Sequence, residues 1–295
     1  MHQAAVPAGD SRGVALALSC ACAYGLAPAL ARLAYNAGAD VLTATTARFV
    51  AGVIGVGLLV WLSRRAARLP RRAQWAAGGL GLISTVTSLG YMGAIYFIPA
   101  SLAVLIFYTF PLLVALGARW TEGEPLTWAK LAGLVVAFVG LAVALGVSFE
   151  DLDARGVALG VIAAVGAAAH VLAVSQVARW TGGATLPLNL RSMAVALVLN
   201  ALLLAWAGGP VWPAGSAGWV GLAGTMVFFT LGVSLMYAAI ARLGPVRASM
   251  ILNLEPVVAI VAAVAVLGER FGPQQGLGAA LVLGAVLWVQ LNRRR

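Results

Sequence analysis

The chain has 295 residues, of which 62% are hydrophobic and only 9% charged, and its mean hydropathy is +0.98. A soluble domain of this size needs a polar coat of roughly 25% charged residues, so a water-soluble globule is excluded. The formal charge of +10 reads as the basic loops of a membrane protein, and not as a nucleic-acid surface, because no polar stretch is long enough to fold into a binding domain.

The apolar runs are continuous and lack period-two alternation, which predicts helices and not barrel strands. About 20 residues cross a hydrocarbon core. Cutting at the polar breaks predicts ten spans, at 13–33, 41–62, 74–97, 100–119, 127–147, 155–178, 186–207, 216–241, 245–267 and 273–291. Spans three and four, and eight and nine, are separated only by tight turns at Pro99 and at Gly244-Pro245.

Span one holds Cys20 and Cys22, two apart and so on different helix faces; both are expected as free packing residues. Tyr24 and Pro28 follow. Span two carries Arg48. It either snorkels to the interface or serves as a gate or an anchor for a carboxylate. Span three places Ser84, Ser88 and Tyr91 on one polar face at i, i+4, i+7. Span four brings Phe107, Tyr108, Thr109 and Phe110 before Pro111, which with Pro28 and Pro256 is read as a gate or hinge position. Lys130, the only lysine, sits at a loop edge, so a retinal-type Schiff base is excluded.

Span six opens with the Gly156-x-x-x-Gly160 pattern of close helix contact. It also holds His170, read as an interhelical hydrogen bonder or as a cavity-lining relay. Arg191 in span seven has the same two readings as Arg48. Span eight aligns Thr225, Phe229, Gly232 and Met236. These hydroxyls and aromatics suit either a roomy solute site or ordinary helix packing.

Span nine reads NLEPVVAIVAAV from Asn253. Glu255 lies ten residues past Pro245, about 15 Å along a helix and near mid-membrane. A carboxylate there costs on the order of 2.5–3.5 kcal/mol unless it faces a polar cavity or a partner. Pro256 cannot donate to the carbonyl of Leu252 and kinks the helix. Glu255, Asn253 and that carbonyl form a polar break, read as a site for a substrate ammonium or a proton, or as a structurally paired carboxylate.

The loop SRRAARLPRRAQ, with five arginines, is expected to be cytoplasmic. Alternation then puts both termini inside. Arg12, Arg64, Arg65, Arg68, Arg71, Arg72, Arg119, Lys130, Arg179, Arg242, Arg247 and Arg293 to Arg295 fall inside; only Arg32, Arg155 and Arg270 fall outside, with the acidic Glu150–Asp153 loop.

The halves repeat. RGVAL opens span one at Arg12 and span six at Arg155, an offset of 143 that also relates Arg48 to Arg191. The offset drifts to 145, relating Pro111 to Pro256 and Glu124 to Glu269. Units at 1–150 and 151–295, each of five spans, must thread the bilayer in opposite senses. That architecture belongs to secondary transporters with a site between the halves. The first span has a retained counterpart, so it is not expected to be a cleaved signal peptide.

The ten spans, the repeat, ARFVAG in span two and LEPVVAIVAAVAVLGER in span nine resemble the EamA-type branch of the drug/metabolite transporter superfamily over essentially the whole chain. FPLLVALGARWTEGE echoes the late motif, with Phe110 where the second copy has Glu255. The chain is similar to the YddG-type amino-acid exporters of that branch. The resemblance implies an all-α membrane protein that exports amino acids or related metabolites across a bacterial inner membrane by alternating access. The alternative is a carrier of drugs, nucleotide sugars or other metabolites; an embedded enzyme or receptor is the remote one. Zinc clusters, GxSxG, P-loop and dinucleotide fingerprints are absent from the sequence, so no cofactor, metal or ATP-driven step is expected. The expected partners are a small solute and lipid, not nucleic acid, with transport proton-coupled or facilitative and a monomer sufficient for it.

Overall fold

The computed structural model describes residues 10–63, 69–146, 153–268 and 272–291. Arg64, Arg65, Arg68, Glu150, Asp151, Glu269, Arg270 and Arg293 to Arg295, invoked above for charge placement and for the repeat, lie outside the described residues. Among the described residues the chain is helical, with twelve helices. The first repeat contains α1 (Ser11–Asn36), α2 (Val41–Leu62), α3 (Arg71–Phe97), α4 (Ala100–Phe107), α5 (Phe110–Thr121) and α6 (Trp128–Leu145). The second contains α7 (Ala154–Trp180), α8 (Thr185–Trp206), α9 (Gly215–Leu243), α10 (Pro245–Leu252), α11 (Glu255–Leu267) and α12 (Pro273–Leu291).

Nine segments are long and apolar enough to cross a membrane, counting α4 with α5 and α10 with α11 as one span each, and α12 is a shorter apolar helix. The ten predicted spans are therefore all present as helix. The break expected at Pro256 is present, and span four is likewise divided, so that spans four and nine are each two helices. α4 and α10 have eight residues apiece at an offset of 145, and α5 and α11 begin at the same offset. In both, the proline occupies the first turn of the second helix. That position needs no donor, whereas the same residue one turn later would cost about 3 kcal/mol.

The packing obeys the repeat. α1 lies on α9 as α7 lies on α3; α2 meets α9 as α8 meets α3; α1 meets α11 as α7 meets α5; α2–α8 and α6–α12 pair with their own counterparts. Lesser contacts depart from this rule, α7–α9 and α8–α9 among them. At the breaks α5 packs on α10, whereas the equivalent pair, α4 and α11, makes at most marginal contact.

Without a hydrophobic drive between helices in lipid, close approach must come from small residues. At the α6–α12 crossing, a Cβ on Gly278 would stand 2.4 Å from the Ala144 nitrogen and the Gly140 oxygen. Cys20 is buried, its Sγ 3.1 Å from the Gly232 carbonyl, while Cys22 is exposed; both are free thiols, as their spacing implied. Large apolar side chains such as Trp75, Trp120 and Trp206 point outward, where a lipid-facing surface needs them.

Each end of the bundle is tied. At the end holding the start of α1, Asp10 caps that helix through the Gly13 N–H at 3.0 Å and pairs with Arg242 at 3.1 Å. The Gly13 N–H first, and Arg242 after it, hold the Asp10 carboxyl below the usual carboxylate range. Glu122 pairs with Arg179 at the same end. At the opposite end the Ala214 N–H donates to the Ala37 carbonyl, and the Val211 N–H to Asp40. There Arg155 pairs only locally with Asp153 and covers the Phe97 ring.

Gly278→Val should lower the thermal midpoint in detergent by the equivalent of about 1–3 kcal/mol, because backbone atoms cannot yield. Gly284→Ala, which meets open space, should leave it unchanged; equal effects would refute the crossing.

Candidate functional site

A helix that stops inside a membrane leaves backbone groups to be satisfied by protein or by a wet cavity. Here the two stops lie together. Tyr108 and Thr109 join α4 to α5, and Asn253 and Leu254 join α10 to α11. The linking N–H groups turn back on tight i−3 carbonyls: Thr109 to Ile106, Asn253 to Met250, Leu254 to Ile251. α1 comes against the second break at Gly25, where a Cβ would sit 2.8 Å from the Glu255 carbonyl oxygen and 2.6 Å from Val258. That contact fixes the start of α11, and with it the Glu255 side chain.

The gap between α4 and α11 is a cavity of about 340 Å3, within the usual range for a small-molecule site. Its floor is at the breaks, with Tyr108, Glu255 and Pro256; Tyr91 and Val104 line one wall and Ala259 and Ile260 another. Pro28 and Arg32 come from α1, one helical turn apart on one face. Leu145 and Gln275 line it where α6 ends and α12 begins. The Tyr108 hydroxyl faces the Glu255 carboxylate. Behind the floor Tyr91, Phe107, Tyr108 and Phe110 form a ring cluster, with centroids 5.2–5.9 Å apart. Among the described residues the cavity thus offers one carboxylate at depth, one guanidinium above it, and apolar walls.

Of the residues singled out in the sequence, Glu255, Tyr91, Tyr108, Pro28 and Pro256 meet in this cavity. Phe107 and Pro111 back it. Tyr24, Arg48 and Phe229 form a separate group: the Arg48 guanidinium lies 4.8 Å from the Phe229 ring centroid and donates to Thr45 Oγ1 at 2.9 Å, and Tyr24 packs on the same ring. Arg48 is therefore folded inward and does not snorkel. His170 is outside the cavity, its Nε2 3.0 Å from the Tyr237 hydroxyl, joining α7 to α9. Thr225 is fully buried. Asn253 ends α10, and neither it nor Ser84 nor Ser88 lines the cavity. Arg191 faces a different cavity with Arg71.

The sequence reading passed over Arg32 and Gln275. Arg32 had a usable signal, four residues beyond Pro28 on the same face. Gln275, two residues into the last helix, had none. Arg247, counted among the basic residues of the inside face, is partly buried on α10, with Nε and Nη2 lacking hydrogen-bond partners.

Comparison with known proteins now decides the family. The model of the EamA-like transporter family matches residues 11–146 and again 154–291. The chain belongs to the EamA-like transporter family. It is 31% identical over 268 residues to a Streptantibioticus cattleyicolor protein named "Probable terminal-alkyne amino-acid exporter", covering 88% of this chain and 87% of that one. It is 28% identical over 227 residues to the "Threonine/homoserine exporter RhtA" of Escherichia coli K12, covering 73% and 72%. A solved crystal structure superposes with a TM-score of 0.78 across 97% of this chain and 99% of its own, at 22% identity, and so bears on the fold alone. This EamA-like transporter is a multi-pass membrane protein that moves a solute and does not transform one.

Replacing His170 by leucine in the transporter should cost about 1–3 kcal/mol, since the buried Tyr237 hydroxyl loses a partner. The thermal midpoint should fall while solute exchange per folded molecule stays within twofold. A loss of exchange at full stability would place His170 in the transport path.

Proposed function

We propose that the transporter exports amino acids or closely related zwitterions by alternating access, through the Glu255 cavity. One observation carries the reading: among the described residues, one carboxylate at the helix break and one guanidinium, Arg32, line the same small cavity. An amino acid presents the complementary pair, an ammonium for Glu255 and a carboxylate for Arg32, whose planar donors suit it. The apolar walls formed by Val104, Ala259 and Ile260 take its side chain. The exporter names carried by two relatives support the same solute class.

Two five-span units, divided near residue 150, supply the cycle. Exchanging their conformations maps α5–α10 onto α11–α4. In the exchanged state α4 closes on α11 and α5 parts from α10, which opens the site to the other end of the bundle. The cavity mouth, with Arg32, Leu145 and Gln275, lies away from the end that carries Arg71, Arg119, Arg179 and Arg242. Basic ends are cytoplasmic, so both termini face the cytoplasm of a bacterial inner membrane, and the cavity opens outward. The ion pairs Asp10–Arg242 and Glu122–Arg179 join the two units across the closed side.

Counterflow in proteoliposomes loaded with an amino-acid panel tests the solute class; no exchange across the panel refutes it. Glu255→Gln should lower exchange about tenfold or more, as expected for a lost hydrogen-bonded charge partner. Arg32→Gln should lower amino-acid exchange while sparing the matching decarboxylated amines. Equal losses for both would remove Arg32 from carboxylate recognition.

A cysteine pair tests the cycle. With Cys20 and Cys22 replaced by alanine, Val104→Cys with Ala259→Cys should cross-link during turnover and then block exchange. A pair that never cross-links during active counterflow would rule out closure of α4 on α11.

A further inference from the structure

We propose that a cavity between α3 and α8 holds the phosphate headgroup of an anionic phospholipid. Arg71, Gln74, Trp75 and Arg191 line about 460 Å3 at the basic end of the bundle. The close crossing of α3 on α8 lies above it: a Cβ on Gly81 would stand 2.6 Å from the Ser192 carbonyl oxygen. Below that crossing the two helices leave the cavity between them. Arg191 is six residues into α8, roughly 9 Å along the axis. Helical side chains lean toward the N-terminus, which points Arg191 toward Arg71.

Two guanidiniums thus share one space at the edge of the bilayer. Among the described residues no acidic side chain lines it. Neither arginine has an ion pair or a hydrogen bond among the described residues. Like charges so placed need an anion between them, the more so where the dielectric falls. The repeat supplies an internal control. Arg48, the counterpart of Arg191, rests on the Phe229 ring and on Thr45 Oγ1. The matching stretch of α3, Leu80–Thr85, has no aromatic residue, and the residue one turn before Arg191 is Leu188. The second copy therefore keeps the arginine without the partners that satisfy the first.

The lining fits a lipid better than a free anion. Trp75 is 84% exposed on the outer surface, where an interfacial indole packs against acyl chains. Arg72 covers the Trp180 ring beside it and adds positive field. α3 begins after Pro70 with no side-chain cap, so its first-turn N–H groups add to the anionic preference. Basic pockets between spans at a cytoplasmic face commonly take anionic headgroups.

The test uses the full chain in nanodiscs of phosphatidylcholine with and without phosphatidylglycerol, read by thermal midpoint and by lipid retention in native mass spectrometry. Phosphatidylglycerol should raise the midpoint and be retained. Arg71→Gln and Arg191→Gln should each lower retention about fivefold, near the worth of one interfacial arginine. Arg119→Gln, exposed at the same end but off the cavity, should not. Should Arg191→Gln fold poorly, Arg71→Gln at the exposed helix start still decides. Retention unchanged in Arg71→Gln overturns the site. Inorganic phosphate raising the midpoint of phosphatidylcholine nanodiscs as much as the lipid does would show a free-anion site, and overturns the lipid assignment.

Discussion

Two prolines without an N–H set the terms for the rest of this molecule. Pro111 and Pro256 leave the carbonyls of Phe107 and Leu252 without their helical donors at membrane depth. Hydrocarbon cannot satisfy those groups, so the breaks must face each other, protein or water. The chain meets that demand by crossing spans four and nine at their breaks. Once they cross there, each span has one half on either side of mid-membrane, and the halves can pack at one end only. In this structure they pack as α5 on α10, and the vacated space on the other side is the cavity.

The repeat is a duplicated scaffold with unduplicated chemistry. Helix boundaries and break positions obey it within a residue or two, and the most extensive helix pairs follow it. Site residues do not. Phe110 occupies the place of Glu255 and joins the ring cluster that backs the floor, so one unit gives the acid and the other its apolar support. A second carboxylate opposite the first would face like-charge repulsion in a low dielectric. The arginines diverge in the same way, Arg48 turned onto a ring and Arg191 turned toward Arg71.

Much of the fold was legible in the sequence because its signals are cumulative. Ten apolar runs and their tight turns are set by lipid thickness, and the RGVAL and proline matches gave the repeat. The break at Pro256 was legible too, since a proline beside a mid-span carboxylate has few physical meanings. At Pro111 the repeat marked a matching hinge, but its aromatic neighbours gave no polar break to set beside that at Glu255. Side-chain destinations were harder still. Ser84, Ser88 and Tyr91 share a face by periodicity, but α3 spreads that face over several neighbours, and only Tyr91 lines the cavity. His170 and Arg48 illustrate the same limit: sequence showed that each needed a partner, and only tertiary placement chose Tyr237 and Phe229.

Charge placement then connects transport with the membrane around it. Ion pairs between the units occur at the basic end, Asp10 with Arg242 and Glu122 with Arg179, while Asp153 at the other end pairs within its own helix start. Their arginines are half-exposed, and pairs near the surface are each worth on the order of 1 kcal/mol. Their sum is nevertheless comparable to the few kcal/mol that separate two conformers of one protein. In the proposed exchange of conformations two equivalent units would have no preference for either opening, and whatever differs between them would supply one. The ion pairs at the basic end and the unduplicated Glu255 are such differences.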